Sequence, residues 1–354
     1  MPGLPEAIQE ALESLEEHFL NLEANIRGGN GYLFFAQNKI SNANVAIKFY
    51  AGESGDQQHD EPRKLAAIQS PNVLPIHEAR NISDGWAYFI TPRCDGGDLD
   101  DTIQSRPSMH EAIDIAIGIC EGVGALHSQR MVHRDLKPAN IVMHEGKPRI
   151  ADFGSVRAIA IGEEDTHSSR HSVLYRPPES FVNDRYGFRG DIYQIGLVTY
   201  QLLGGWFSYD GIEYLKEKEL RDLALIADPV DRSLFVDSVI EKRSRSGTLV
   251  RLGSLPPWAK RAKRAIRSMT NPNPSARPST VADVVAALTK LRVESHDWQW
   301  AGTTARLTEG GRTLELQPCP GGNYQAYQTK GGARRRLGGS KAAKLEELVE
   351  EIER

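Results

Sequence analysis

The sequence predicts an α+β fold in which strand-forming and helix-forming stretches occupy different parts of the chain. The alternating run Val45-Ala46-Ile47-Lys48 and the apolar run Trp86 to Ile90 read as strands. Longer stretches with apolar residues at helical spacing, His110 to His127 and Gly190 to Gly205, read as helices. Beyond Asp297 the composition turns to Trp, Thr, Gly and Tyr, with Gly-Gly turns between short strands. With 354 residues, 40% hydrophobic and 25% charged, the chain is long enough for two domains and a sizeable core.

Taken in order, the first element is a helix. Leu4, Ile8, Leu12, Leu15 and Phe19 recur at spacings of three and four with glutamates between them, which predicts an amphipathic helix. Residues 1–16 are assigned to it, packed on the next domain. Ile26 to Ala36, IRGGNGYLFFA, then sets Gly28, Gly29 and Gly31 before an apolar run. A glycine turn between strands lets backbone N–H groups approach phosphate oxygens closely. The strand that follows delivers Lys48.

The centre of the sequence carries the chemistry. Met131 to Gly154 reads MVHRDLKPANIVMHEGKPRIADFG, with Lys137 two positions after Asp135, Asn140 five after it, and Asp152 beyond two short apolar runs. A phosphoryl group in transfer needs positioning and charge cancellation more than covalent help, and each of these residue types has one such task. Asp135 can accept the proton of an incoming hydroxyl and Lys137 can neutralise the migrating group. Asn140 and Asp152 offer the hard oxygen donors that Mg²⁺ takes. His133 reads as a structural residue, because no His or Cys ligand set adjoins it.

HRDLKPAN and DFG at this separation resemble the catalytic loop and metal-binding triplet of the eukaryotic-type protein kinases, and Lys137 resembles the serine/threonine branch. The resemblance implies a bilobal fold with ATP and Mg²⁺ between the lobes. A small β-rich lobe with one key helix would span about residues 17–91, and a larger helical lobe about 96–292. Val45-Ala46-Ile47-Lys48 matches the family's VAIK, so Lys48 is expected on the α- and β-phosphates and Glu61 on Lys48. Pro62 requires the helix carrying Glu61 to begin near Asp60 or Glu61. Thr91-Pro92-Arg93-Cys94 resembles the hinge, with Thr91 as gatekeeper and Cys94 supplying the N–H that Pro92 lacks. The implied nucleotide site comprises Gly28, Gly29, Gly31, Leu33, Ala46, Lys48, Thr91, Pro92, Cys94, Asp98 and Val142. Asp98 reads equally as a contact to ribose or a basic substrate residue and as a helix N-cap. The glycine loop departs from GxGxxGxV, since Ile26 or Arg27 fills the first glycine's place.

Further along, HSVLYRPPES resembles the family's substrate-docking segment, with Pro177-Pro178-Glu179 for Ala-Pro-Glu. Glu179 is expected to pair with Arg277 of SARPST, and Asp191 to brace the catalytic loop from an apolar helix. The segment favours a protein carrying Ser or Thr as substrate over a small molecule. Arg134, with Arg157, is placed to receive a phosphate on Thr166, Ser168 or Ser169, so activation by phosphorylation is expected. The resemblance thus implies a serine/threonine protein kinase. The competing reading is a kinase-shaped scaffold that binds ATP and recruits a protein or nucleic acid through its tail and basic stretch.

The formal net charge of -4 gives no global pull toward nucleic acid or an anionic membrane. The basic stretch from Lys242 to Arg267 is a local exception, with a solvated face the favoured reading and docking of an acidic protein or a nucleic acid the less favoured one. Three scattered cysteines, Cys94, Cys120 and Cys319, suit a reducing cytoplasm. An acidic start and the lack of a long apolar run predict neither export nor a membrane anchor. In the tail, Trp298 to Leu307, Thr313 to Gln317 and Tyr324 to Thr329 read as strands, Arg334 to Leu337 as a possible fourth, and a helix capped by Ser340 follows. Residues 297–354 are therefore read as a βββα-like accessory module for recognition or dimerisation, with a protein as its partner.

Overall fold

The structure, a computed structural model, describes residues 3–25, 31–51, 60–83, 85–168, 172–342 and 344–353. Gly28, Gly29 and Ser169 lie outside the described residues.

The first helix, α1 (Glu6–Leu15), buries Ile8, Ala11 and Leu15 in one core with Phe34, Ile47, Phe49 and Tyr88. Phe19, expected on the helix stripe, instead opens strand β1 (Phe19–Asn25), where it pairs with Asn38. It reaches the same core from a strand, so the apolar stripe marked one buried surface and not one element. Then come β2 (Tyr32–Asn38), β3 (Asn44–Ala51), α2 (Asp60–Ala67), β4 (Glu78–Asn81) and β5 (Trp86–Pro92). The five strands form an antiparallel sheet in the order β1-β2-β3-β5-β4. Along β3, Val45, Ile47 and Phe49 point into the α1 core, which leaves Ala46 and Lys48 on the opposite face. Pro62 falls in the first turn of α2, where its missing N–H has no intrahelical partner to lose.

The larger lobe begins with α3 (Leu99–Ser105) and α4 (Met109–Ser128), whose N-caps Asp98 and Ser108 accept backbone N–H groups. Short strands β6 (Met131–Val132), β7 (Ile141–His144), β8 (Lys147–Ile150), β9 (Arg157–Ala158) and β10 (Asp165–His167) carry the chain past the site. After α5 (Pro178–Asn183) and β11 (Arg185–Gly187), helix α6 (Phe188–Leu202) runs through the middle of the lobe, buried from Gly190 to Leu202. The pairs β6–β9, β7–β8 and β10–β11 are antiparallel. Helices α7 (Glu217–Ala224), α8 (Pro229–Arg245), α9 (Lys263–Met269) and α10 (Val281–Glu294) complete the lobe. The basic stretch is divided among separate partners: Arg243 meets Glu219 at 2.6 Å, Arg245 meets Glu241 at 3.1 Å, and Arg251 lies 3.8 Å over the Trp206 ring.

The tail forms a five-stranded meander of β12 (Trp298–Ala301), β13 (Thr304–Glu309), β14 (Arg312–Pro318), β15 (Tyr324–Lys330) and β16 (Ala333–Ala342), followed by α11 (Leu345–Ile352). Trp298 to Leu307, expected as one strand, is a hairpin. Gly302 adopts φ 64° between the paired Ala301 and Thr304, a conformation glycine takes without steric cost. The fourth strand is longer than expected and passes through Ser340, so Ser340 does not cap the helix; Lys344 holds that position. Pairing of Gln325 with Lys341 and of Tyr324 with Ala342 keeps this segment extended against its helical composition. The sheet joins the large-lobe core through tryptophans, with Trp258 stacked on Trp298 at 5.9 Å and tilted against Trp300 at 4.8 Å. Lys260, from the basic stretch, bridges to Glu346 at 3.3 Å and Glu350 at 2.6 Å. Among the described residues, no helix is long and apolar enough to cross a membrane.

Candidate active site

Strand β3 presents Lys48 to the space between the lobes. Its Nζ lies 2.7 Å from the Glu61 carboxylate on α2 and 3.8 Å from Asp152, so three separate segments meet at one ammonium. Burial alone would lower the Lys48 pKa, but the facing carboxylates Glu61 and Asp152 outweigh it and hold the group charged. Gly31, at the start of β2, adopts φ 109°, and a Cβ there would meet the Phe49 carbonyl oxygen at 2.3 Å. Only glycine lets the loop turn so close to β3. Leu33 pairs with Lys48, and Ala46 pairs with Thr91, whose hydroxyl sits 3.5 Å from the Ala46 carbonyl.

Pro92 ends β5, and Cys94 beyond it is half-buried, its thiol pKa raised to about 11 by burial. Asp98 accepts the Asp101 N–H at 3.2 Å as the N-cap of α3 and bridges to Val142 on β7. The segment after β5 is thereby tied to β7, with Gly96 N–H donating to the Met143 carbonyl and Met143 N–H to the Gly97 carbonyl.

Asp135, 5% exposed, is held by Lys137 Nζ at 2.9 Å and by the Asn140 amide nitrogen at 3.1 Å. That nitrogen also donates to the Asp135 carbonyl at 2.8 Å, which assigns the Asn140 amide oxygen to any ligand. Asp152 adopts φ 55° and accepts the Gly154 N–H, while Phe153 is buried edge-on to the His133 ring. His133 donates from Nε2 to the Ala151 carbonyl at 3.2 Å, the supporting contact of a structural residue. One carboxylate and one amide oxygen fit Mg²⁺, which binds through few protein oxygens and completes its shell with phosphates and water.

Asp191 braces this loop from α6. Its carboxylate accepts the N–H groups of His133 at 2.9 Å and Arg134 at 3.1 Å. His127 Nε2 and the Tyr186 hydroxyl, both at 2.8 Å, complete the set. Arg134 itself sits at φ 71° and spends its guanidinium on the carbonyls of Ser155 at 2.6 Å and His167 at 2.5 Å. Arg157 likewise donates to the carbonyls of Val156 and Gly154. Thr166 lies on β10 opposite Tyr186, and the Ser168 hydroxyl donates to Asp184. Glu179 and Arg277 form a two-pronged pair at 2.8 and 2.7 Å, and Arg277 also holds the carbonyls of Asn271 and Arg189.

The structure therefore brings Lys48, Glu61 and Asp152 into one cluster and Asp135, Lys137 and Asn140 into another, the two joined where the Ala151 N–H donates to the Asn140 carbonyl at 2.9 Å, with Asp191 bonded to the backbone of the same loop. Sequence reading missed His127, Tyr186 and Gln194. For Gln194 a signal exists, an amide within the otherwise apolar IYQIGLVTY, since a buried polar group implies bonds to make.

The family model described as protein kinase domain matches residues 26–289. The serine/threonine-protein kinase Nek3 of Mus musculus is 30% identical over 183 residues, 50% of this chain and 36% of that one. The serine/threonine-protein kinase PrkC of Bacillus subtilis is 29% identical over 194 residues, 52% of this chain and 30% of that one. PknH of Mycobacterium tuberculosis, also named a serine/threonine-protein kinase, is 28% identical over 190 residues, covering 51% and 30%. The chain spans about a third of the length of these relatives. With the lobes, the β3 lysine pair and the catalytic loop in place, and with most of its length matched, the chain belongs to the protein kinase family.

Proposed function

We propose that the protein is a serine/threonine protein kinase that transfers the γ-phosphoryl group of ATP to Ser or Thr hydroxyls of a protein. The observation that carries this reading is the convergence of Lys48, Glu61 and Asp152 across the lobes, facing a loop that holds Asp135, Lys137 and Asn140 together. Asp135 positions the acceptor hydroxyl and takes its proton, Lys137 and Lys48 neutralise phosphate oxygens, and Glu61 orients Lys48. Asn140 and Asp152 would hold Mg²⁺, which when bound offsets charge on the phosphates. Gly31, Leu33, Ala46, Thr91, Pro92, Cys94 and Val142 would enclose the nucleotide, with the second Asp98 oxygen left for ribose.

Thr166 and Ser168 are proposed as phosphorylation sites of the segment, which Arg134 already ties down through the His167 carbonyl. Residues 297–354 are proposed to recruit a protein partner through the sheet face opposite α11, where Arg334 lies 4.2 Å over Tyr327. The three free cysteines support a reducing, cytoplasmic setting. A radiolabelled-ATP assay of the wild type beside Asp135→Asn tests the central reading. Incorporation into a protein substrate that disappears in the variant supports it; equal labelling or none in both refutes it.

A further inference from the structure

We infer that Gln194 is a positioning residue that fixes the backbone on both sides of Asp135 and couples it to the substrate-docking segment. Gln194 lies on α6 one turn after Asp191 and is 1% exposed. Its side-chain oxygen accepts the Leu136 N–H at 2.8 Å and the Tyr186 hydroxyl at 2.9 Å. Its side-chain nitrogen donates to the carbonyls of Arg134 at 3.3 Å and Tyr175 at 3.2 Å. A primary amide has two acceptor sites and two donor hydrogens, and all four face a partner, the Tyr186 contact sharing the single hydroxyl hydrogen that also points at Asp191. They also fix which way the amide faces, because a flipped amide would set NH₂ against the Leu136 N–H.

The Arg134 carbonyl belongs to the peptide unit before the Asp135 Cα, and the Leu136 N–H to the unit after it. Each unit is planar, so holding both fixes the two backbone torsions at Asp135 and hence the direction of its side chain. The first unit is gripped twice, since its N–H donates to His133 Nδ1 at 3.4 Å. Asp191 holds the N–H groups of His133 and Arg134, upstream of this point. The two α6 side chains therefore divide the loop: Asp191 anchors the approach and Gln194 anchors the catalytic position itself.

Tyr175 adds the coupling. It stands two residues before Pro177 in HSVLYRPPES, and its ring is buried with its hydroxyl on Gln201 at 2.8 Å. One Gln194 nitrogen thus spans from the docking segment to the loop carrying Asp135. A displacement of either is felt by the other, and misplacement of a reacting group by about 1 Å can cost about 10²-fold in rate.

This inference rests on the kinase reading, and the test separates the two. Gln194→Met keeps the length of the side chain and removes its four bonds. Thr199→Val likewise removes a buried polar group from α6, at a hydroxyl with no hydrogen-bond partner among the described residues, and serves as the control. The measurements are kcat and KM for a peptide substrate, affinity for Mg²⁺·ADP by calorimetry, and melting temperature. The expected result for Gln194→Met is a kcat at least about 30-fold below that of Thr199→Val, toward the limit of about 10²-fold, a raised peptide KM, and Mg²⁺·ADP affinity within about twofold of wild type. A kcat matching the control overturns the inference while leaving the kinase reading intact. Nucleotide affinity lost in step with kcat also overturns it, since that marks collapse of the cleft. Should Gln194→Met melt below the assay temperature, Gln194→Asn, one methylene too short to span all four partners, is judged by the same criteria. An inactive wild type refutes the kinase reading and the inference with it.

Discussion

Glu61 reaches Lys48 at 2.7 Å from the first turn of α2, directly before Pro62. The proline that makes a mid-helix position impossible for Glu61 is what places it at a helix start. Lys48 has Asp152 on its other side at 3.8 Å, so the ammonium holds the small lobe to the segment that carries Asp152.

Replacing Lys48 with Met removes a preorganised positive charge from the proposed phosphate site. The expected loss in kcat is about 10²–10³-fold, the usual cost of deleting one such group. Glu61→Gln keeps a hydrogen bond to Lys48 but not its charge. It should cost about tenfold, corresponding to about 1.4 kcal/mol of barrier. Steady-state kinetics of the two variants at saturating ATP checks the order, and a Glu61→Gln loss equal to that of Lys48→Met would contradict it.

Asp135→Asn keeps the size of the side chain but removes the carboxylate that Lys137 and Asn140 hold in place, the proposed proton acceptor. The expected fall in kcat is about 10²–10⁴-fold with little change in nucleotide affinity. Single-turnover phosphoryl transfer set beside Mg²⁺·ADP titration distinguishes this from a defect in binding.

What the sequence made legible of the site is the set of residues whose types and spacing match the kinase pattern, and the structure brings them together in pairs: Lys48 with Asp152 at 3.8 Å and Asp135 with Asn140 at 3.1 Å. Their supports were less legible because a buried hydrogen bond leaves no periodic trace. His127 and Tyr186 reach Asp191 from 64 and 5 residues away, and nothing in their neighbours announces it. The Phe19 error has a different cause, since a helix and the strand after it can bury residues in one core at spacings that mimic a single stripe. In the tail, Gly302 was the overlooked signal, a lone glycine in an apolar strand pattern that marked a turn. The Ser340-Lys341-Ala342 stretch misled because edge pairing with β15 overrode its helical propensity.

Trp298 is fully buried, stacked on Trp258, with its indole N–H donating to Glu353 at 3.2 Å. It therefore joins three parts of the chain: the large lobe, the first strand of the tail sheet and the end of α11. Trp298→Ala should destabilise by about 3–5 kcal/mol through the cavity and the lost stacking. Chemical denaturation measures this. A change below about 1 kcal/mol would mean that the tail sheet contributes nothing to the stability of the lobe it covers.

Asp191 supplies a prediction with a sign in pH. Burial pushes its carboxyl pKa up, but the bond from His127, the nearby imidazoles and the backbone N–H of His133 outweigh burial and hold it below the ordinary 3.8. A carboxyl with a folded pKa below its unfolded one adds stability that is fully present above the unfolded value. That stability is lost as pH falls through the folded value. Asp191→Asn cannot accept four donors with a charged group, so it should cost about 3–5 kcal/mol at about pH 7. The cost relative to wild type should shrink as the acid side, below about pH 4, is reached, because the wild-type carboxyl is then itself losing its charge. Urea titrations of both proteins across that range test it. A gap that stays constant into acid would show that the charge on Asp191 does not hold the catalytic loop.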